Sequence, residues 1–489
     1  MRISWRRLLP LWCVTLMLVF APWASFQRDM WTDEAFTASY TAHPTIGMVL
    51  EDVRKNEETP PISFLLTWAW ARAFGQSVVA LRLFSLLAGL LASLVFARFA
   101  QRWLALPEAW IAGTLFAIAP LGLSFLSEAR GYTLTLLFAV ACIAAFEQLY
   151  RQPERRLGYV LYAPLAMALF LTSYFGVAIL LAHNLVWLEL LLRDRSKWRP
   201  RLLLWSAAQL FVGAVILLWL PALLYQMKVS AAVTSAWGDG LRDYYLLALS
   251  VLLNLPPRGP WLVLWITLSL LAWGLILIGI RSSRAQDDGL VMRAFGVSGL
   301  MLLLLIMWMQ VVAPRYLMVL LPGAALSVAQ GVRALRQHRP RLGLALGLAL
   351  IAGIIVYRVP TLIATTSVKP WSALVSEVER QTDPRRDVVL FHPPWDQRIF
   401  EYYYHGPQLQ LFGVHDYDTF YYEQGYDLRT AWKSDQALAA TRGSKRVWLF
   451  YDQMFHTVPH LNLPYTQVGH WRSDRLELFL YEVPAPYDR

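Results

Sequence analysis

The sequence predicts an α-helical polytopic membrane protein with about eleven transmembrane helices and a small α/β domain at its C-terminal end. The composition is apolar: 57% of the residues are hydrophobic and only 16% are charged, whereas soluble proteins carry about 25% charged residues. About eleven apolar segments have roughly the length that a bilayer requires. Beyond residue 360, charged residues, prolines, histidines and tyrosines replace the leucines, which indicates a domain outside the lipid.

The predicted spans are apolar runs that charged or turn-forming residues separate. They cover residues 5–26, 78–100, 110–125, 131–149, 158–171, 174–192, 202–224, 261–280, 294–312, 316–332 and 342–359. The first run could be a signal peptide, but Pro22 and Trp23 interrupt the small residues that cleavage needs. We therefore expect it to remain as a membrane anchor.

Basic residues predict the orientation of these spans. Arg2, Arg6 and Arg7 precede the first span, and arginines recur in every second loop, so we expect a cytoplasmic N-terminus. An odd number of spans then places the C-terminal domain outside the cytoplasm, with the protein in the inner (plasma) membrane of the cell. A few arginines lie in the outer loops against this trend: Arg130, Arg242, Arg258 and Arg315.

The net charge of +11 does not predict a nucleic-acid partner. The arginines lie between spans, where they fix topology and contact anionic membrane lipids, and no basic stripe is interleaved with aromatic residues. The two cysteines, Cys13 and Cys142, both lie inside apolar runs, so neither a disulfide nor a cysteine metal site is expected.

Two domains follow from this pattern: a membrane module at residues 1–360 and an extracytoplasmic α/β domain at residues 361–489. The module contains an outer loop, residues 27–77, whose short apolar run from Ile62 to Phe74 predicts an interfacial helix. A second outer segment, Tyr225 to Pro260, is rich in aromatic residues. In the C-terminal domain, the periodicity predicts a helix and three buried strands, at residues 369–380, 387–392, 446–451 and 476–483.

Two adjacent carboxylates, Asp33 and Glu34, follow the first span directly, where the chain re-enters water. A carboxylate there can accept a proton from an incoming hydroxyl or amine as a general base. It can also bind a metal or stabilise a cation. The alternatives are a solvated pair in a loop, or caps for a helix that begins near Ala35. Acidic pairs at the outer rim of a bundle are unusual, and they favour chemistry on a molecule presented at the outer face.

Two further outer turns carry charge. Glu128 and Arg130 lie between two spans, where they either pair with each other or serve a lipid-linked phosphate. Arg315 follows Pro314 at the expected start of a helix, and guanidinium groups and helix N-termini both favour phosphate. The alternative for Arg315 is a side chain that extends to the lipid headgroups.

Several other reaction classes are not supported by the sequence. It contains no phosphate-binding loop, no dinucleotide fingerprint and no Gly-x-Ser-x-Gly motif. His392, His405 and His415 lack the spacing of a helical zinc motif. The energy for a reaction must therefore arrive with the substrate.

These motifs, in this order and on this side of the membrane, resemble the family 39 glycosyltransferases, which include protein mannosyltransferase and aminoarabinose transferase-like membrane enzymes. The resemblance extends over nearly the whole chain. It is carried by the segments Trp31–Ala38, Thr59–Trp68, Phe74–Ser85, Ser127–Tyr132 and Arg315–Leu317, and by Trp371 and residues 387–390 in the tail.

The resemblance implies a GT-C fold and transfer of a sugar from a polyprenyl-phosphate-linked donor, with inversion, to an envelope glycan, lipid or protein. Asp33 would be the general base, with Glu34 beside it, and Glu128 would be a second acidic group. The donor phosphate would be bound by Arg130, Arg315, Tyr132 and Tyr316.

The chain departs from the family pattern before Pro60, where many relatives have His or Lys and this chain has Glu58 and Thr59. A divalent metal is possible, with Glu58 as a ligand. The tail lacks the sugar-binding repeat of eukaryotic protein mannosyltransferases, which favours a glycolipid or polysaccharide acceptor. Neither the sugar nor the acceptor can be predicted.

A polytopic transporter or flippase of lipid-linked saccharides is the alternative. A transporter would need charged residues within its spans, or broken helices in two related halves of the chain. The predicted spans contain few charged residues, and no two related halves are evident in the sequence. A scaffold protein would leave the three outward-facing charged motifs unexplained.

Overall fold

The computed structural model describes residues 5–234, 248–254, 259–283, 289–309, 313–363, 371–414, 431–432, 439, 441–452, 463–473 and 476–484. The chain forms two compact units, which we call the bundle unit and the sheet unit. The bundle unit comprises Met1–Phe26, Glu58–Leu66 and Arg82–Ala364, and the sheet unit comprises Gln27–Glu57, Thr67–Leu81 and Thr365–Arg489. The domain boundary predicted at residues 360 and 361 stays a prediction.

The described α-helices are numbered in chain order. They are α1 Trp5–Val19, α2 Thr32–Ala42, α3 Ile46–Asn56, α4 Ile62–Phe74, α5 Val78–Trp103, α6 Leu106–Ile118, α7 Pro120–Ser124, α8 Tyr132–Arg151, α9 Arg156–Phe170, α10 Val177–Arg193, α11 Arg195–Trp198, α12 Leu202–Thr234, α13 Trp261–Ser283, α14 Gly289–Met309, α15 Leu321–His338, α16 Pro340–Ile363, α17 Trp371–Gln381 and α18 Gln397–Tyr403. Short 3-10 helices lie at Trp23–Gln27, Tyr174–Gly176, Arg199–Arg201, Pro314–Leu320 and Pro394–Asp396.

Within the described residues, nine helical segments are long and apolar enough to cross a membrane. The two other predicted spans correspond to α1 and α9, which have 15 residues each. At about 1.5 Å per residue these helices are about 22 Å long, shorter than the hydrocarbon core of about 30 Å. The predicted class, a polytopic helical membrane protein with a small C-terminal sheet domain, is confirmed.

Other elements match or extend the predictions. The predicted interfacial helix is α4, with the expected bounds Ile62–Phe74. Helix α12 continues to Thr234, so the first ten residues of the predicted outer segment are helical. The aromatic residues Trp237, Tyr244 and Tyr245 of that segment lie outside the described residues.

Small residues bring two helices of the bundle unit close together. A Cβ built on Gly279 of α13 would lie 2.1 Å from the carbonyl oxygen of Ser327, and one on Gly331 of α15 would lie 2.1 Å from that of Leu275. Only glycine allows such a backbone approach, which is a common basis of helix association in lipid. Every residue of α15 from Leu321 to Val332 is buried.

The sheet unit contains a six-stranded sheet in the order β3-β2-β1-β4-β6-β5. Its strands are β1 Asp387–His392, β2 Gln410–Val414, β3 Ala431–Trp432, β4 Arg446–Asp452, β5 Thr466–Ser473 and β6 Leu476–Glu482. Strands β3, β2, β1 and β4 are parallel, and β6 and β5 continue the sheet antiparallel. The predicted helix and three strands are α17, β1, β4 and β6, whereas α18, β2, β3 and β5 were not predicted.

The sheet is covered on both faces. Val389 and Phe391 of β1 pack in one cluster with Trp371 of α17, and Val388 and Leu390 pack in a second cluster on the opposite face. A strand that is buried on both faces reads as a continuous apolar run, which is why β1 could be predicted.

Helix α2 belongs to the sheet unit. Its residue Ala35 is fully buried in the same cluster as Trp371 and Phe400, and α2 packs against α18. The chain stretch that carries the acidic pair is thus part of the core formed by the C-terminal residues.

Candidate functional site

The predicted site residues are distributed over both units. Asp33 and Glu34 lie on α2 of the sheet unit, and the remaining residues lie in the bundle unit: Glu58, Glu128, Arg130, Tyr132, Arg315 and Tyr316. Each group is described below within its own unit.

The acidic pair occupies the first turn of α2, which begins at Thr32. Carboxylates are favoured there because the backbone N–H groups and the helix dipole present positive charge. Glu34 is fully buried, and its carboxylate accepts a hydrogen bond from the backbone N–H of Trp31 at 3.3 Å. Asp33 is half-buried. Glu34 therefore closes the end of the helix, and Asp33 is the more accessible carboxylate.

Residues near the C-terminus hold this end of α2 by hydrogen bonds. The backbone N–H of Met30 donates to the hydroxyl of Tyr403 at 2.8 Å, and the hydroxyl of Thr32 donates to the Asp396 carboxylate at 3.3 Å. Asp29 accepts from both the backbone N–H and the hydroxyl of Ser372, each at 2.8 Å. Three hydrogen-bonding positions within four residues thus fix the backbone that leads into Asp33.

In the bundle unit, the turn with Glu128 and Arg130 packs tightly against the start of α4. The Arg130 guanidinium carbon lies 5.2 Å from the ring centroid of Phe64, a cation–π distance. A Cβ on Gly131 would lie 2.6 Å from the Cβ of Ser63, so only glycine fits at this position. The backbone N–H of Arg130 donates to the carbonyl of Glu128 at 2.7 Å, which closes the turn.

Arg315 lies in the first turn of the 3-10 helix Pro314–Leu320, which runs on into α15. Its guanidinium carbon is 5.3 Å from the ring centroid of Tyr316. The Tyr316 ring in turn packs against Phe175, with ring centroids 4.0 Å apart. The predicted helix start is thus confirmed, as a tighter helix than expected.

The segments that carry the two arginines contact one common turn, residues 171–176. A Cβ on Gly131 would lie 3.7 Å from Cγ2 of Thr172, and Phe175 packs on Tyr316. The backbone N–H of Ile62 donates to the carbonyl of Leu171 at 2.9 Å, which attaches the start of α4 to the same turn. The structure therefore brings the backbone segments of Arg130 and Arg315 to one end of the bundle unit.

The two predicted tyrosines line this end through their rings. Tyr132 starts α8 and packs against Phe125 with ring centroids 4.8 Å apart, and Tyr316 packs against Phe175. Helix α8 also packs against the 3-10 helix that carries Arg315.

Arg82 is a residue that the sequence offered only as part of a motif. It is fully buried in the bundle unit and donates to the carbonyls of Ser25 and Phe26, at 2.9 and 3.1 Å. A guanidinium group that is removed from water must be paired or hydrogen-bonded, and these carbonyls meet that need. Arg82 fixes the chain just before the sheet unit begins.

The metal prediction has no support among the described residues. Glu58 is half-buried and precedes α4. In this part of the chain, no group of three or more His, Cys, Asp or Glu side chains is arranged to hold a metal ion. We therefore assign no step to a metal.

A polar cluster in the sheet unit was not predicted. Asp52 of α3 is within 2.7 Å of the His43 ring, accepts from the Asn56 side chain at 2.5 Å and pairs with Arg398 at 3.4 Å. Burial alone would raise the pKa of the Asp52 carboxyl, but Arg398, His43 and Asn56 outweigh it and hold this pKa below its usual range. No local sequence pattern links Asp52 to a residue 346 positions away.

Comparison with solved structures identifies the fold. ArnT from Cupriavidus metallidurans in the apo state superposes with a TM-score of 0.65 at 15% identity, covering 96% of this chain and 97% of that one. The same protein bound to undecaprenyl phosphate gives 0.63 at 14% identity, covering 98% of both chains. The chain has a GT-C fold. A third GT-C structure, the oligosaccharyltransferase AglB from Archaeoglobus fulgidus with an inhibitory peptide and a dolichol-phosphate, gives 0.58 at 12% identity, covering 99% of this chain and 75% of that one.

The GT-C fold confirms the predicted resemblance at the level of architecture. No family model matches the sequence, and no curated protein matches it significantly. At 12–15% identity the similarity does not transfer individual residues, so the roles of the site residues rest on the geometry described above.

Proposed function

We propose that this GT-C protein is a membrane glycosyltransferase that transfers a sugar, hexose or pentose, from a polyprenyl-phosphate-linked donor to an extracytoplasmic acceptor. The observation that carries the proposal is the match, over nearly the full length of both chains, to a structure with bound undecaprenyl phosphate. The dolichol-phosphate in the AglB structure is a second lipid phosphate on the same fold. The acceptor would be a glycolipid, polysaccharide or protein of the cell envelope.

Arg130 and Arg315 are proposed to bind the donor phosphate. Their segments meet at the turn 171–176, so both guanidinium groups originate at one end of the bundle unit. As the sugar leaves, negative charge grows on the phosphate, and fixed cations stabilise that charge. Tyr132 and Tyr316 would contribute hydroxyl donors beside the arginines.

Asp33 is proposed as the general base. Its carboxylate would accept the proton of the acceptor hydroxyl while that oxygen forms a bond to the anomeric carbon. The bond from this carbon to the phosphate oxygen breaks, and polyprenyl phosphate leaves with the bonding electrons. A single displacement of this kind inverts the anomeric configuration. Glu34 supports the end of the helix, and Glu128 supplies a second negative charge beside Arg130.

Lipid-linked sugars in a deletion strain test the proposal. We expect one polyprenyl-phosphate sugar to accumulate in the deletion strain and to be consumed again when the wild-type protein is restored. The purified protein should then convert that donor to free polyprenyl phosphate and a glycosylated acceptor. A transporter or flippase would instead move the donor without breaking its sugar–phosphate bond, and that outcome would replace the proposal with the alternative prediction.

The proposed orientation places the N-terminus in the cytoplasm and the C-terminal residues in the outer compartment, because arginines concentrate in alternate loops. Alkaline phosphatase fused after Arg489 should be active. An inactive fusion, together with an active cytoplasmic reporter at the same point, would show that the number of spans is wrong.

A further inference from the structure

The sheet unit contains a cavity of about 870 Å³ whose lining includes none of the residues proposed for the reaction. It lies among α2, α3, α18 and the connection between α4 and α5. Its volume falls within the range of about 300–1,000 Å³ that is usual for small-molecule sites. Neither Asp33 nor Glu34 lines this cavity.

The cavity and the proposed base lie on different faces of α2. Ala35, Ala38 and Ala42 line the cavity and follow one another at intervals of three and four residues, so they share one face of the helix. Asp33 precedes Ala35 by two residues, a rotation of about 200° around the helix axis. The cavity is therefore separate from the Asp33 carboxylate, and the alanine side chains on its wall are small.

One wall of the cavity is a rigidly held guanidinium group. Arg398 lies over the rings of Phe36 and Tyr40, at 4.4 and 5.4 Å from their centroids. It donates to the hydroxyl of Ser39 at 2.5 Å and pairs with Asp52 at 3.4 Å. Contacts on several sides fix the orientation of its planar N–H groups before any ligand binds.

The lining contains one guanidinium, Arg398, and two carboxylates, Asp52 and Glu401, so it offers an anion no excess of arginine or lysine charge. Arg398 faces the carboxylate of Asp52, which also contacts the His43 ring, and Glu401 accepts from the amide of Gln397 at 2.8 Å. A phosphate would meet a guanidinium that a carboxylate already neutralises. The described lining also offers no cluster of carboxylates and imidazoles arranged for a metal ion. The walls therefore favour a neutral ligand with many hydrogen-bonding groups.

Aromatic and planar polar side chains occur together in this lining. Tyr402 and Tyr403 pack edge to face with ring centroids 4.9 Å apart, and the Tyr402 hydroxyl donates to the carbonyl of Gln76 at 3.0 Å. Sugar hydroxyls both donate and accept hydrogen bonds. The guanidinium, carboxylate and amide groups of this lining each have two or more polar atoms that can bond to neighbouring hydroxyls. The tyrosine rings offer apolar faces to the C–H groups of a sugar ring.

We propose that this cavity binds neutral sugar residues of a glycan. If the proposed function is right, that glycan is the acceptor, which would be anchored away from the base. Sugar binding itself does not depend on the proposed reaction, since it rests on the cavity alone.

Saturation-transfer-difference NMR on the full-length protein in lipid nanodiscs tests the proposal without a donor. The probes are neutral trisaccharides of glucose, mannose, galactose and N-acetylglucosamine, with inorganic phosphate as a charged probe. We expect at least one trisaccharide to bind the wild type and to lose binding in Ala42→Trp, because the indole fills the cavity from an exposed position. The matched control is Ile46→Trp on α3, which is exposed and does not line the cavity.

The proposal is wrong if none of the four trisaccharides binds, or if Ala42→Trp binds as well as the wild type with the same unfolding midpoint. It is also wrong if phosphate binds in the cavity and Ala42→Trp abolishes that binding instead. Asp33→Asn should bind the trisaccharide normally. A wild-type protein that binds sugar but transfers none from any lipid-linked donor would contradict the proposed function and leave this proposal intact.

Discussion

The start of α2 carries the predicted general base and the turn at Ser127–Tyr132 carries predicted phosphate-binding residues, but different contacts hold the two segments in place. The α2 segment depends on hydrogen bonds to side chains more than 300 residues later in the chain, such as Met30 to Tyr403. The turn depends on close packing, with Gly131 against Ser63 and Arg130 over Phe64. Polar substitutions should therefore move Asp33, whereas changes in side-chain volume should move Arg130.

The largest expected effect is that of Asp33→Asn. The amide keeps the size and polarity of the side chain but cannot accept a proton at neutral pH, so transfer should fall by about a hundredfold or more. Expression and the unfolding midpoint should match the wild type. Transfer at nearly the normal rate would assign the base to Glu34, which also lies on α2, or to Glu128, and in the second case α2 would carry no catalytic residue.

Two substitutions of Arg315 should lower the transfer rate by different amounts. Arg315→Ala removes a fixed cation beside the leaving phosphate and should lower the rate by about a hundredfold. Arg315→Lys keeps the charge but loses the planar fork, so about a tenfold loss is expected. Rates and donor affinity are measured with purified enzyme and a polyprenyl-phosphate sugar. If the lysine variant equals the wild type in both, Arg315 serves topology alone.

Gly131→Ala tests the close packing that holds the turn at Ser127–Tyr132. A Cβ there would lie 2.6 Å from the Cβ of Ser63, so α4 or the turn must shift, at a cost of about 1–3 kcal/mol in unfolding free energy. Both activity and donor affinity should fall, because Arg130 directly precedes Gly131. Gly274→Ala is the control, since no heavy atom lies within 4 Å of its added Cβ. Equal effects of the two substitutions would disprove the role of close packing.

Tyr403→Phe tests the hydrogen bonds that hold the segment before α2. The substitution leaves the Met30 N–H without its hydroxyl acceptor, a loss of about 1 kcal/mol. We expect kcat to fall severalfold while KM for the donor stays constant, because only the segment that leads into Asp33 is released. Tyr404→Phe removes a hydroxyl that donates to Pro407 instead and should leave kcat unchanged. Identical kinetics of both variants would mean that Tyr403 does not position α2.

The smallest effect concerns acidity in the sheet unit. Because the folded-state pKa of Asp52 lies below its usual value, its carboxylate stabilises the fold above the unfolded pKa of about 3.9, and this contribution is lost as the pH falls through the folded pKa. Asp52→Asn should therefore lower the unfolding midpoint at pH 7, and the difference from the wild type should shrink in acid. Glu51→Gln is the control, since its ion pair with Lys55 is exposed. A difference that does not change with pH would rule out this carboxylate as the source of the stability.

Hydropathy and strand periodicity predicted most of the fold because burial in lipid or between two layers leaves long apolar runs. Strand β1 and helix α4 were predicted with their observed bounds for this reason. Strand β5 was missed because its residues are mostly exposed at the edge of the sheet. Helix α2 was expected only as an alternative, a helix beginning near Ala35 that the acidic pair would cap, because its 11 residues have a weak amphipathic pattern.

The sequence predicts candidate residues for the site, but it does not predict the contacts that hold them. Motifs identified Asp33, Arg130 and Arg315, since charge in outer loops is conspicuous. The contacts that place them involve Tyr403, Thr172 and other residues that carry no local signal. Contacts between residues that are hundreds of positions apart form only when the chain has folded, so they cannot be predicted from a single sequence.

The hydrogen bonds that reach α2 from the far end of the chain also set a time at which the site can form. Tyr403 is synthesised 373 residues after Met30, which at about 5–20 residues per second is a delay of about 20–75 s. During that interval every predicted transmembrane helix after the first is made, while the acidic segment lacks its hydrogen-bond partners. If the proposed function holds, a ribosome that stalls before residue 403 releases an inserted but inactive protein, and the base is among the first groups made and the last to be fixed in position.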